Sequence, residues 1–418
     1  MSITAEGPLL AGHSRTTAAP INPLKQNRLA SVDILRALTM LLMIFVNDLW
    51  SLTNVPGWLE HTQAAEDGMG LADTVFPAFL FITGMSIPLA VAHRRSKGDN
   101  NGQILWHILW RGIALLIMGV WLVNGESINQ AATGMKRGVW NMICWTCFII
   151  YWNAWPKTIN KTVLNILRVV ASLVLVYLAW IYRGGPDDAI ERFAPHWWGI
   201  LGLIGWAYLV SAVIFTLSGN KISVITGVWL FFIFLCAANH AGWFASVPLV
   251  KKIIAPIGGG AMTAFVTGGA LTTLIFQHYR NKGKNGTMAI VLLGVAALLV
   301  AVGFYFRQFW GISKIRATPA WVLICSGITI AVFVLVYWIA DINKKANWFN
   351  IIKPGGTNTL VCYMLPYFAY AIAITLLHLR LPAAALDGGP GLLKSFLFAL
   401  LMIVLAGVFG KWGLRMKL

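Results

Sequence analysis

Apolar residues in this chain come in long blocks and do not alternate with polar ones. Runs of about 17–23 residues with hardly a charge are separated by short polar connections, and that is the length at which an α-helix crosses a ~30 Å hydrocarbon layer. A transmembrane β-barrel would alternate apolar and polar positions, and that pattern is absent. Twelve blocks stand out, at residues 32–53, 71–92, 103–124, 138–155, 162–182, 197–217, 222–239, 258–277, 287–306, 319–340, 356–377 and 391–411. The fourth is short and the eighth is glycine-rich ("GGGAMTAFVTGGA"), so the pattern predicts 11 or 12 membrane helices. The fold class expected is an all-α polytopic membrane protein, one bundle over residues 28–418. Residues 1–27 are polar, lack the apolar core of a signal peptide and read as a disordered cytoplasmic tail.

Composition agrees. The chain is 58% hydrophobic and 11% charged, where a soluble domain carries roughly 25% charged residues. A net charge of +18 would suggest nucleic acid in a soluble protein. Here Lys and Arg sit mainly in the connections, so the expected partners are membrane lipids and no nucleic acid. With the N-terminus inside, the cytoplasmic connections hold 18 of the 32 Lys and Arg and the opposite ones hold 10. The positive-inside rule then places both termini in the cytoplasm. No organelle signal is evident, so the simplest location is a bacterial inner membrane. Trp is abundant and clusters near span ends, as an interfacial belt does; Trp58 and Trp197 are the candidates for sugar stacking. All five cysteines fall inside apolar runs. The pair Cys144 and Cys147 ("CWTC") reads as packing, and no metal is expected.

Ionisable residues in or beside membrane helices are costly and point to function. In the first block, Asp33 and Arg36 lie three apart on one face, placed to pair. Fourteen residues after Asp33 comes Asn47, followed by Asp48, so one helix carries polar groups at both ends over ~21 Å. The outer connection then reads "GWLEHTQAAEDGMGLADTVFPAFLF". His61 stands there among Glu60, Asp67 and Asp73, any of which can fix its tautomer and raise its basicity. His107 and Arg111 share a face of the third block. "KPGGTN" opens the eleventh, and glycines at a helix start suit a phosphate through exposed N–H groups. Either an acyl transferase with reactants on both sides or a sugar carrier of the secondary-transporter type fits these features.

The stretch "RLASVDILRALTMLLMIFVND", the loop His61 and "GMGLADTVFPAFLFITGMSI" together resemble the heparan-alpha-glucosaminide N-acetyltransferase family of membrane acyltransferases, most of all its bacterial N-acetylglucosamine-associated, NagX-type members. Weaker similarity continues through "RGIALLIMGVWLVNG", "GISKIRATPAWVLICSG" and "IIKPGGTNTLVCYML". The resemblance implies an enzyme that uses cytoplasmic acetyl-CoA to acetylate an amino sugar or glycan on the other side. It puts the catalytic His on His61, its Asn partner on Asn47 and the associated Asp on Asp73. The CoA phosphates are then expected near Arg36, Arg111 and the start of the eleventh span, at Gly355, Gly356 and Asn358. The family leans toward a homodimer. The spacing from His61 to Asp73 is slightly longer than in the animal pattern.

Overall fold

The computed structural model describes residues 29–418; the expected tail at 1–27 lies outside them. Each predicted block becomes a helix: α1 (Ala30–Asp48), α2 (Ala72–Ser96), α3 (Asn101–Glu126), α4 (Arg137–Trp152), α5 (Lys161–Ile181), α6 (Ile200–Ser218), α7 (Ile222–His240), α8 (Ala261–Arg280), α9 (Asn285–Trp310), α10 (Pro319–Tyr337), α11 (Thr359–Tyr370) and α12 (Gly388–Lys411). α11 carries Pro366 and then widens into a π-helical turn at Ala371–Leu376. The chain is an all-α polytopic membrane protein, with 11 helical segments long and apolar enough to cross a membrane among the described residues.

The helix below that length is α4, with 16 residues. It nevertheless joins the two ends of the bundle. The connection before it pairs with the one after α5, through the Ile128–Gly184 bridge, and the residue after it pairs with Met416 near the chain end. Sixteen residues of helix rise ~24 Å, enough to link connections on opposite sides of a thinned layer.

The connections sort into two faces. One carries His61 and holds the loops joined by the Thr53–Asp387 bridge and by contacts of His61 with Lys314 and of His240 with the Arg316 carbonyl. The other carries Arg36, and there Asp341 accepts from Ser31 N–H, and Arg95 donates to the Thr216 carbonyl. The described chain begins and ends on the Arg36 face.

Composition decides which helices sit inside. In the most apolar 18-residue stretch of the segment containing α8, 89% of the residues are buried, against 17% in that of α5 and 22% in that of α9. α8 is built largely of Gly, Ala and Thr, whereas α5 presents Leu and Val outward and α9 presents Ile, Leu and Phe. Lipid tails are as apolar as Leu, so helices associate in a membrane through close backbone approach. Gly84 of α2 and Gly269 of α8 provide it, for a Cβ on either would overlap a backbone carbonyl of the other helix, that of Val266 or Phe81. The glycines before α8 serve a turn. Gly258, Gly259 and Gly260 all take positive φ, which glycine adopts without a steric penalty.

Candidate functional site

On the His61 face the loop before α2 folds back over that helix's own start. Leu71 N–H donates to the Trp58 carbonyl at 2.7 Å and Ala72 N–H to that of Leu59 at 3.2 Å. Gly70 is required at this crossing, because a Cβ would collide with the Glu60 carbonyl. The fold-back lays His61 over Asp73, in the first turn of α2. His61 Nδ1 lies 2.7 Å from Asp73 Oδ1. Asp73 Oδ2 accepts from Thr62 N–H at 3.1 Å, Thr62 Oγ1 at 3.0 Å and Gly70 N–H at 3.1 Å. Trp321 of α10 donates to the Asp73 carbonyl at 3.0 Å.

The Asp73 side chain is 0% exposed and that of His61 45%. A carboxylate receiving three donors on one oxygen is an acceptor on the other, so the proton of the imidazole belongs on Nδ1 and the lone pair on Nε2. This is the arrangement of a general base held by an acidic partner. Of the three carboxylates that the sequence left open as partners for His61, the structure selects Asp73.

Lys314, between α9 and α10, completes the cluster. Its Nζ lies 3.1 Å from His61 Nδ1, 3.4 Å from Nε2 and 3.9 Å from Asp73 Oδ1. Burial pushes its ammonium below the usual lysine range, against the pull of Asp73. Sequence reasoning counted Lys314 only as outer-side charge. The available signal was its place between apolar residues in "GISKIRAT", inside a stretch carrying the resemblance. Asp67 also does more than add loop charge. It accepts from Ile312 N–H at 2.6 Å and from Arg307 Nε at 2.9 Å, so the residues that lengthen this loop clip it to the connection bearing Lys314. The Ile312 N–H first, then Arg307, hold the Asp67 carboxyl below the usual range.

On the Arg36 face a cavity of about 440 Å³ is lined by Arg36, Arg111, Gly356, Tyr208 and Lys417, among others. Arg36 pairs with Asp33 at 3.3 Å and donates to Ser86 Oγ at 2.6 Å and the Gly356 carbonyl at 3.0 Å. Arg111 lies over the Tyr208 ring at 5.0 Å, and its buried Nε has no hydrogen-bond partner among the described residues. Two guanidinium groups and a lysine around one cavity, one guanidinium with an unused donor, fit a phosphate-bearing ligand.

Gly355 and Asn358 do not line this cavity. The Asn358 amide donates to the carbonyls of Ala406 at 3.1 Å and Leu414 at 3.0 Å, tying α11 to the chain end. Gly355 N–H is taken by the Ile352 carbonyl. Gly356 turns its carbonyl toward Arg36, and a Cβ there would overlap the Asp33 carbonyl. The phosphate reading of "PGGTN" through exposed N–H groups is therefore corrected. The glycines let residues 353–357 press against α1, and Gly356 reaches the cavity as a support for Arg36.

Asn47 lines a second cavity of about 690 Å³ toward the His61 face, with Trp50, Glu126, Asn141, Tyr367 and His378 among its neighbours. The two cavities share Met43, Ile200 and Tyr363, so they meet beside α1. His61 and Asp73 line neither of them among the described residues. The structure thus pairs His61 with Asp73, sets Arg36 and Arg111 around one cavity, and sets Asn47 in the wall of the neighbouring one. Beside it, Asp48 is buried and receives Lys394 Nζ at 2.8 Å, Ser395 Oγ at 2.6 Å and the Tyr370 hydroxyl.

Comparison with known proteins bears on this geometry. A family described as a domain of unknown function (DUF5009) matches residues 28–249, which hold Arg36, Asn47, His61, Asp73 and Arg111. Heparan-alpha-glucosaminide N-acetyltransferase of Mus musculus is 36% identical over 102 residues, 23% of this chain and 14% of the mouse protein. The Homo sapiens protein of the same name is 36% identical over 101 residues, again 23% of this chain and 14% of its own. The match therefore spans a small part of these relatives. The family match takes in more than half of the residues, so the chain belongs to that family of a domain of unknown function, and a segment of it is similar to part of the heparan-alpha-glucosaminide N-acetyltransferases.

Proposed function

We propose that the protein transfers an acetyl group from acetyl-CoA, bound at the Arg36 face, to an amino sugar at the His61 face. One observation supports this reading: two cavities share a wall along α1, one lined by a pair of arginines and the other by Asn47, with a His–Asp pair on the face beyond. Arg36 and Asn47 are separated by a helical rise of ~16 Å, a span suited to a pantetheine arm. On this reading the Arg36 face is cytoplasmic and the His61 face periplasmic in a bacterial inner membrane, the orientation the positive-inside count favours.

In the direct route, the acceptor nitrogen attacks the acetyl carbonyl carbon and His61 Nε2 takes its proton. The C–S bond breaks, its electrons leave with the thiolate, and the proton passes on to sulfur. Asn47 donates to the oxyanion as it develops, an interaction worth about 3 kcal/mol when aligned. Asp73 keeps the lone pair on Nε2 and stabilises the imidazolium. In a two-step route Nε2 first carries the acetyl group itself.

The test is acetyl transfer from labelled acetyl-CoA to glucosamine by purified protein. Turnover is expected in wild type and not in His61→Ala, and acetyl retained on the protein marks the two-step route. Counterflow of N-acetylglucosamine in proteoliposomes without acetyl-CoA, with no acetyl transfer, would establish a secondary transporter instead.

A further inference from the structure

The acceptor's reacting group is a primary amine, and the protein already holds one against the proposed base. Lys314 Nζ lies 3.1 Å from His61 Nδ1 and 3.4 Å from Nε2, against the part of the ring between the two nitrogens. The Nδ1 proton is committed to Asp73, so Nε2 is the ring atom left to take a proton from Lys314, after a small swing of the lysine chain into the ring plane. The contact is held from both sides, since Asp73 draws Nζ to 3.9 Å and Asp67 fastens the two loops together. We propose that Lys314 is a nucleophilic amine activated by His61, and the site at which the protein itself becomes acetylated when no acceptor is bound.

The acetyl source rests on the function proposed above; the reactivity of the amine rests on the geometry alone. Burial of the ammonium favours its loss of one proton to solvent at neutral pH. The freed lone pair attacks the acetyl carbonyl of acetyl-CoA, and His61 Nε2 takes the second Nζ proton. The C–S bond breaks and the thiolate accepts that proton from His61. The products are acetyl-lysine and CoA, with one proton released. The amide is a poor acyl donor, so the modification is an end state. It also removes the positive charge beside His61. A bound amino sugar places its own amine against Nε2 and so competes with Lys314.

The experiment incubates the full-length protein in detergent with isotopically labelled acetyl-CoA and reads lysine acetylation by peptide mass spectrometry. Lys314 should be labelled at least roughly tenfold faster than Lys251 and Lys252, which lie exposed on the same face, within the range a positioned base supplies. Glucosamine should suppress the label, and His61→Gln should remove it. Protein that forms N-acetylglucosamine when glucosamine is supplied, yet leaves Lys314 unmodified when the sugar is omitted, overturns the inference and leaves the proposed function standing. Equal labelling in wild type and His61→Gln also overturns it. When acetyl-CoA acetylates neither sugar nor protein, the function fails and N-hydroxysuccinimidyl acetate decides the inference. Faster, His61-dependent reaction at Lys314 then supports the activated amine, and a rate equal to that of Lys251 overturns it.

Discussion

At the scale of single residues, the proposed chemistry rests on the His61–Asp73 pair, and its two members should fail differently. His61→Ala removes the base, and the expected loss in kcat is about 10²–10⁴-fold, the usual worth of a positioned general base. Asp73→Asn keeps a hydrogen-bonding side chain but can donate to Nδ1, which moves the lone pair off Nε2. It should lower kcat by a similar order while KM for the sugar changes little, and steady-state kinetics separate the two parameters. Asp67 gives a pH-dependent prediction. Its folded carboxyl titrates below the ordinary 3.8, so the charged form is favoured by folding. That stabilisation is fully present above the unfolded value and is lost as pH falls through the folded one. Wild type should therefore lose thermal stability with falling pH more steeply below about pH 4 than Asp67→Asn does, measured by melting in detergent. His61 and Asp73 were legible as candidates because carboxylates and a histidine are rare in so apolar a chain. Lys314 was not, because only the folded chain brings residues 61 and 314 together.

At the scale of elements, hydrophobic block length located all twelve helices, since crossing a membrane needs a run of fixed length and little else. What block length could not show was the order of packing. α8 is the innermost helix because small residues let α2 approach, and Gly84 and Gly269 are where the backbones touch. Gly269→Leu should force these helices apart and lower stability by about 1–3 kcal/mol, seen as an earlier melting transition without a change in helix content. Asp48 tests a different kind of contact. It is enclosed and paired with Lys394, Ser395 and Tyr370, residues more than 300 positions away, so sequence spacing offered no sign of the cluster. Asp48→Ala leaves the partly exposed Lys394 ammonium with Ser51 but without its counter-charge and should cost about 1–3 kcal/mol, whereas Asp48→Leu with Lys394→Met removes both charges and should cost less than the single change. The melting order of the three proteins checks this.

At the scale of the whole molecule, the reading depends on one path between faces, and the path has a neck. Met43, Ile200 and Tyr363 line both cavities, so a pantetheine arm crossing from Arg36 to Asn47 is expected to pass them. Arg36 and Arg111 lie on the near side, and His61, Asp73 and Lys314 are on the far face. A bulky residue at the neck therefore separates two properties that a carrier or a simple binding protein would lose together or not at all. Ile200→Trp should leave the affinity for CoA, set by contacts at the Arg36 face, within about threefold of wild type, under 0.7 kcal/mol. It should reduce acetyl transfer to glucosamine by more than about tenfold, or 1.4 kcal/mol in the barrier. Calorimetric titration of CoA and turnover of labelled acetyl-CoA measure the two independently. If CoA binding and turnover fall in parallel, Ile200 belongs to the binding site itself. If neither falls, the acetyl group reaches the His61 face by some other route, and the shared wall of the two cavities is only packing.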